Sequence, residues 1–278
     1  MAPAGSVGLF KATLKFLKKP VERARAKPLG VAARPRFTSV ELPKDLSKVR
    51  LRHLGGGTHL GTFLAEYEGK TLGVYKSRLS NSKLVRERAA WVADDHLGLG
   101  LVPHTRIWHG PHGLGSIQDF VQNEGPVFAQ KGGEHERMAA LDYIIGSGDR
   151  HLANALRRED GGIAAIDNED AFPKTTPGMI RSDFVVRHLN EPLSPDLVSH
   201  LRSVDPAGYA QALRETGLSD AAVNGSASRL IEIQTHGRIM GESWNGAIAD
   251  SGFNVYHPPG VTNMGDYMTK YMIPRGSH

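Results

Sequence analysis

From Val49 to Lys76 the chain reads VRLRHLGGGTHLGTFLAEYEGKTLGVYK. Arg50 to Leu54 is a short strand. Thr62 to Tyr67 alternates apolar and polar positions, the period of a half-buried strand. Glu68-Gly69-Lys70 is a tight turn, and Leu72 to Lys76 is a third strand. The period then changes. Ser80 to Leu97 is built of helix formers, with Asn81 or Ser82 as the N-cap. His109 and His112 flank Gly110-Pro111 in a hairpin turn. Glu134 to Ile145 forms a second helix whose Met138, Leu141 and Ile145 belong to the core, and Ile163 to Ile166 is a short apolar strand. Helical patterns follow at about 183–190, 195–204, 206–216 and 219–240. From Gly241 onward no period is sustained, which predicts loops and extended pieces over the surface. The last residues, Ile273 to His278, resemble a protease-site scar and carry no argument.

Composition narrows the picture. A chain of 278 residues, 40% apolar and 23% charged, suits one two-lobed domain or two small ones. It has no cysteine, which removes disulfides, thiolate metal sites and a cysteine nucleophile and fits a reducing, cytoplasmic setting. No stretch approaches the ~18 apolar residues of a membrane helix. The net charge of +5 is unevenly placed: residues 1–36 hold nine basic residues and one acid, which leaves 25 basic and 28 acidic residues beyond. The body is mildly acidic, so nucleic acid is not an expected partner. The basic character belongs to an N-terminal arm. In it Leu9, Phe10, Leu14, Leu17 and Val21 share one helical face, with lysines on the others, until Pro20 interrupts. Such a helix docks on an anionic membrane or a partner through residues 8–27, or packs on its own body.

The chemistry is concentrated in GSGDRHLANALRREDGGIAAIDNEDAF, residues 146–172. Asp149 precedes Asn154 by five positions, the spacing of a kinase catalytic loop, and a short strand then delivers Asp167. Phosphoryl transfer needs an Asp that takes a hydroxyl proton, an Asn on one metal, and a second Asp on the metal that bridges the phosphates. Each half alone is more often a polar turn or a capped strand end; together, their order and distance favour transfer. Upstream, Gly55, Gly56, Gly57 and Gly61 enclose Thr58 and His59 between two strands, where backbone can approach phosphate. Lys76 ends the third strand. Glu87, mid-helix among apolar residues, wants a partner; its rivals Asp94 and Asp95 lie near the helix end, where solvent is expected.

In these pieces the chain resembles the bacterial members of the phosphatidylinositol 3/4-kinase-like superfamily, to which HipA-type toxin kinases are related. The matching segments are the glycine turn at 55–61, GVYK at 73–76, RERAAW at 86–91, LGLGLVP at 97–103, GSIQDFV at 115–121, DYIIGSGDRHLAN at 142–154 and AAIDNEDAF at 164–172. The resemblance implies an α+β, protein-kinase-like two-lobed fold: an N-lobe antiparallel sheet with one helix (37–122), a mostly helical C-lobe (123–240) and an irregular tail (241–278), behind the arm at 1–36. It implies ATP with magnesium or manganese as cofactors. Lys76, held by Glu87, would meet the phosphates. Gly57 and Thr58 would bind nucleotide, and Gln118, Asp119 and Val121 would form the adenine hinge. Asp149 would be the base, Arg150 and His151 would support its loop by touching phosphate or Asp167, and Asn154 and Asp167 would hold the metal. The chain reads Asp167-Asn168-Glu169 where protein kinases read D-F-G, and Asp-Arg-His where they read His-Arg-Asp. Thr175, Thr176 and Ser182 stand where an activation segment could be phosphorylated. The implied activity is transfer of the γ-phosphoryl group to a protein hydroxyl, with a small-molecule or lipid acceptor, a silent nucleotide-binding adaptor, or an AMP transferase as alternatives.

Overall fold

A computed structural model describes residues 41–54, 61–173 and 178–256. The basic arm, Gly57 and Thr58, Thr175 and Thr176, and the tail beyond 256 lie outside the described residues. Five strands form one antiparallel sheet: β1 (Val49–His53), β2 (Thr62–Tyr67), β3 (Lys70–Ser77), β4 (Thr105–Gly110) and β5 (Gly113–Gln118), in the order β1-β2-β3-β5-β4. Its small core is Ala65, Leu72, Tyr75, Trp108 and Ile117, closed at one edge by Leu42, Leu46 and Val49. Tyr75 and Trp108 meet edge to face, 5.1 Å between ring centroids. Gly73 lets β3 approach the end of β5. A Cβ there would fall 2.4 Å from the Gln118 carbonyl oxygen, and its φ of +145° suits few other residues.

Helix α1 (Asn81–Leu97) follows β3. Its N-cap is Ser80, whose hydroxyl accepts from the Lys83 N–H, rather than Asn81 or Ser82. Its C-cap is Gly98 in the left-handed conformation. The buried face, Ala89, Ala90, Ala93 and Leu97, joins the larger core of the second lobe. Asp94 is buried, contrary to the expectation of solvent. Its carboxylate accepts from the N–H groups of Leu101 (2.9 Å) and Val102 (3.0 Å) and so folds the LGLGLV turn back onto the helix. A backbone turn buried at that point needs an acceptor, and Asp94 supplies it.

The second lobe is built on α2 (Glu134–Ile145), in which every residue from Met138 to Ile145 is buried. Around it lie α3 (Asp183–His188), α4 (Pro195–Arg202), α5 (Pro206–Arg214) and α6 (Asp220–His236). The last carbonyls of α2 would be orphaned in this core. Buried Arg229 of α6 donates to those of Tyr143 (2.7 Å) and Ile144 (3.0 Å), and the Ser226 hydroxyl donates to Ile144 (2.8 Å). Two small sheets complete the lobe. One runs β6 (Asn123–Pro126), β7 (Ala155–Arg158), β8 (Ile163–Ala165); the other runs β11 (Val255–Tyr256), β10 (Ala247–Ala249), β9 (Met179–Arg181), with β9 and β10 parallel.

The third sheet corrects the expectation of an irregular surface tail from Gly241. Ala247, Ile248 and Ala249 are buried and form its central strand. Trp244 is buried, with Nε1 donating to the Ala247 carbonyl at 2.9 Å. Glu232 of α6 accepts from the N–H groups of Met240, Gly241 and Ser243, which fixes the turn that starts this segment. No described helix is long and apolar enough to cross a membrane.

Candidate active site

Lys76 and Glu87 meet as the sequence requires. Lys76 is the penultimate residue of β3, and Glu87 sits two turns into α1. The lysine Nζ is ion-paired with Glu87 Oε1 and donates to Asp167 Oδ1 at 2.7 Å. Glu87 is 1% exposed, and its second oxygen accepts from the Asn168 N–H at 3.3 Å. Burial alone would lower the Lys76 pKa, but the carboxylates of Glu87 and Asp167 outweigh it and push it up. Burial pushes the Glu87 carboxyl up, with Lys76 opposing. The lysine is therefore a fixed cation at the junction of the two lobes.

Asp167, two residues past the end of β8, is in the left-handed backbone region (φ 58°), where Asp is tolerated better than most residues. The carboxylates of Glu87, Asp167 and Glu169 offer oxygens within 4.8 Å of one another. Their charge is met by Lys76 and by Lys83, whose Nζ donates to Glu169 Oε1 at 2.6 Å. Neither Lys83 nor Glu169 was legible as part of the site from the sequence. A lysine one turn before Glu87 and a glutamate two residues after Asp167 are the only signals they leave.

The loop from Ser147 to Asn154 is held by Arg150. This side chain is 1% exposed. Its Nε donates to Asp142 Oδ1 (3.0 Å), its Nη1 to the carbonyls of Asn154 (2.8 Å) and Ile166 (2.7 Å), and its Nη2 to Asn168 Oδ1 (2.5 Å). One guanidinium thus sets the end of the loop against the end of β8. Arg150 is a positioning residue: its fork is taken by Asp142, by Asn168 and by two backbone carbonyls. Asp142, wholly buried, also accepts from the Ser182 hydroxyl at 2.8 Å. Ser182 is itself buried and caps α3, which removes it as a site of phosphorylation.

Asn154 is buried. Its side-chain nitrogen donates to the Asp149 carbonyl at 2.9 Å, which leaves its oxygen as a ligand atom. His151 caps the short 3-10 turn of Leu152–Asn154, with Nδ1 accepting from the Ala153 N–H. Its Nε2 stands 3.8 Å from Asp149 Oδ2. The Asp149 side chain is 33% exposed and is ion-paired with Arg181 of β9. Nothing in the sequence marks Arg181. The loop and β9 bind each other through backbone, Arg150 N–H to Arg181 O and Arg181 N–H to Ser147 O, each 2.9 Å. The Arg181 guanidinium lies 4.6 Å from the centroid of Phe253, an exposed ring beyond β10.

Gln118 closes β5, paired with Val74 on one side and Thr105 on the other. Its side chain donates to Thr105 Oγ1 at 2.9 Å, and the Asp119 N–H donates to the His104 carbonyl at 2.9 Å. The hinge segment is therefore tied to the sheet, and the Val121 carbonyl accepts from the Asn123 side-chain amide at 3.1 Å. Burial raises the Asp119 carboxyl to about 6, with Arg106 opposing.

The structure thus brings Lys76, Glu87 and Asp167 into contact and seats Asp149, Arg150, His151 and Asn154 on one loop joined to the base of β8. Asparagine and aspartate oxygens are the donor set that a hard cation such as magnesium takes.

Residues 133–218 match the family described as Phosphatidylinositol 3- and 4-kinase. Among solved structures, the chain is similar to a Helicobacter pylori proinflammatory kinase, CtkA. That match is at 15% identity and a TM-score of 0.41, covering 69% of this chain and 93% of that one. No curated protein matches. Neither match bears on kinship with HipA-type kinases. Over residues 133–218, the segment that carries the Asp149 loop and Asp167, this chain is similar to the phosphatidylinositol 3- and 4-kinase family.

Proposed function

We propose that this chain is an ATP-dependent kinase that transfers the γ-phosphoryl group to a hydroxyl on a protein. The observation that carries the reading is the Lys76 contact, in which one ammonium joins β3, α1 and the end of β8 through Glu87 and Asp167. A random strand-end lysine points to water; this one is held where a kinase needs a cation for phosphate.

In this reading adenine meets the Asp119 carbonyl and Val121. Lys76 exchanges its contact with Asp167 for the nucleotide phosphates and keeps Glu87. Asn154 and Asp167 would hold magnesium, which would supply charge neutralisation at the phosphates. Asp149 takes the acceptor's hydroxyl proton as the oxygen–phosphorus bond forms and the bond to the β-phosphate oxygen breaks, releasing ADP. Arg181 holds the Asp149 carboxylate until an acceptor arrives. Arg150 contributes no charge to the reacting atoms; it keeps the loop and the β8 end in register. An absence of cysteine and a need for ATP suit the cytoplasm.

A protein acceptor is favoured by what surrounds Asp149. Phe253 is 60% exposed and Met179 of β9 is also exposed, so the acceptor side offers apolar surface beside a charged pair. Such a surface suits a peptide's mixed side chains. The test is radiolabelled ATP with magnesium, offered separately with a protein extract and with phosphatidylinositol vesicles. Label in protein that disappears with Asp149→Asn supports the reading. Label in the lipid extract alone overturns the protein acceptor while retaining the kinase.

A further inference from the structure

Helix α1 must hold Glu87 on Lys76, yet its two ends are anchored differently. The C-terminal half is packed: Ala89, Ala90, Ala93 and Leu97 lie in the large core, and the Leu97 carbonyl contacts His200 Nε2 at 2.8 Å. The N-terminal half buries only Leu84 and Glu87. What binds it is charge. Lys83 lies one turn before Glu87, on the same helix face. Its Nζ reaches Glu169 Oε1 at 2.6 Å and Asp170 Oδ1 at 3.7 Å. Glu169 Oε2 stands 3.9 Å from Lys76 Nζ. The Glu169 side chain is 3% exposed, with both lysines beside its carboxylate. Burial would lower the Lys83 pKa, but Glu169 and Asp170 raise it.

We infer that Lys83 and Glu169 form a latch that sets the position of α1 independently of the nucleotide. This rests on the kinase reading above. When nucleotide and metal bind, Asp167 leaves Lys76, and one of the contacts that join the lobes is lost. Glu169 borders that exchange, but the Lys83 contact to its Oε1 at 2.6 Å does not pass through Asp167 and keeps Glu87 facing Lys76. The glutamate occupies the third position of Asp167-Asn168-Glu169, where the D-F-G form has glycine and no side chain to offer. The segment from Pro173 to Gly178 is short, and Ser182 beyond it is buried. The latch assigns the positioning of α1 to a permanent ion pair.

The variants are Lys83→Met, Glu169→Gln and the conservative Lys83→Arg. Three readouts are taken: Mg–ADP affinity by calorimetry, amide exchange of residues 84–91 in the nucleotide-free protein, and the thermal midpoint. A partly exposed pair of this kind predicts a loss of affinity of about tenfold in Lys83→Met and Glu169→Gln, or about 1.4 kcal/mol. Exchange of the helix amides should rise by about the same factor, and Lys83→Arg should stay within about twofold of wild type. A lowered midpoint with unchanged affinity and exchange would make the pair merely structural and overturn the latch. If wild type fails to bind Mg–ADP, the kinase reading fails and the latch is judged by exchange alone. Faster exchange in Lys83→Met that Lys83→Arg restores supports it; unchanged exchange refutes it.

Discussion

Replacing Arg150 by Met should cost the fold more than any surface change, although the residue sits in the catalytic loop. Arg150 and Asp142 are both buried, and the carboxylate keeps only the Ser182 hydroxyl once the guanidinium is gone. Breaking a buried pair from one side costs about 3–5 kcal/mol. The Ile166 carbonyl and the Asn168 oxygen also lose their donor, while the Asn154 carbonyl keeps the Ile166 N–H at 3.0 Å. Each stranded group adds about 1–3 kcal/mol where water cannot replace the donor. With partial relaxation the total is about 5 kcal/mol, a large part of a domain's ~5–15 kcal/mol. At about 2–4 °C per kcal/mol for a chain of this size, the thermal midpoint should fall by about 10–20 °C. Arg150→Lys keeps the charge but not the fork, and should lose about half as much. Adding Asp142→Leu to Arg150→Met should recover much of the loss, because both charges leave together. Calorimetry on the four proteins decides it. A fall of under about 3 °C in Arg150→Met, or a double variant no better than the single, would refute the role assigned to this side chain.

Three other substitutions probe different parts of the account. Asp119 has a folded pKa raised from 3.8 to about 6, so the folded protein binds more protons than the unfolded chain between those values, and stability falls as pH rises through that window. Asp119→Asn should therefore stabilise by about 1–2 kcal/mol at pH 7.5 and by nothing near pH 4, read from denaturation midpoints at both. Trp244→Ala should cost about 3–5 kcal/mol in urea titration, since the ring is buried in the segment expected to be surface loop; a cost below about 1 kcal/mol would return that segment to the surface. Gly73→Ala forces a methyl against the Gln118 carbonyl and should cost about 2–4 kcal/mol while weakening Mg–ADP binding through displacement of the hinge.

The parts legible in the sequence are those with local signals. Thr62–Tyr67 and Glu134–Ile145 fall where the period puts them, and Ser80 to Leu97 errs only in its cap. The Lys76–Glu87 contact was legible because an acid in an apolar helical stretch demands a partner. What was missed depends on distant pairing. Strands β9 and β10 have three residues each, and Ala247-Ile248-Ala249 carries no alternation because both faces are covered. One of its two partners is Met179–Arg181, remote in the sequence, so no window could show that pairing, and the nearer one, Val255–Tyr256, is only two residues long. Asp94 read as solvated because helix ends usually are, yet the turn it caps is buried. Arg181 and Lys83 look like any surface cation until the fold supplies Asp149 and Glu169.

The central claim is phosphoryl transfer that depends on Asp149 and Asp167. It is tested most directly by intact mass and nucleotide analysis after incubation with Mg-ATP, on wild type, Asp149→Asn and Asp167→Asn, with folding checked by circular dichroism. The account predicts ADP, or an added phosphate, in wild type and neither in the two variants. AMP with pyrophosphate would replace the kinase by an AMP transferase, and ADP formed equally by all three proteins would contradict the site itself.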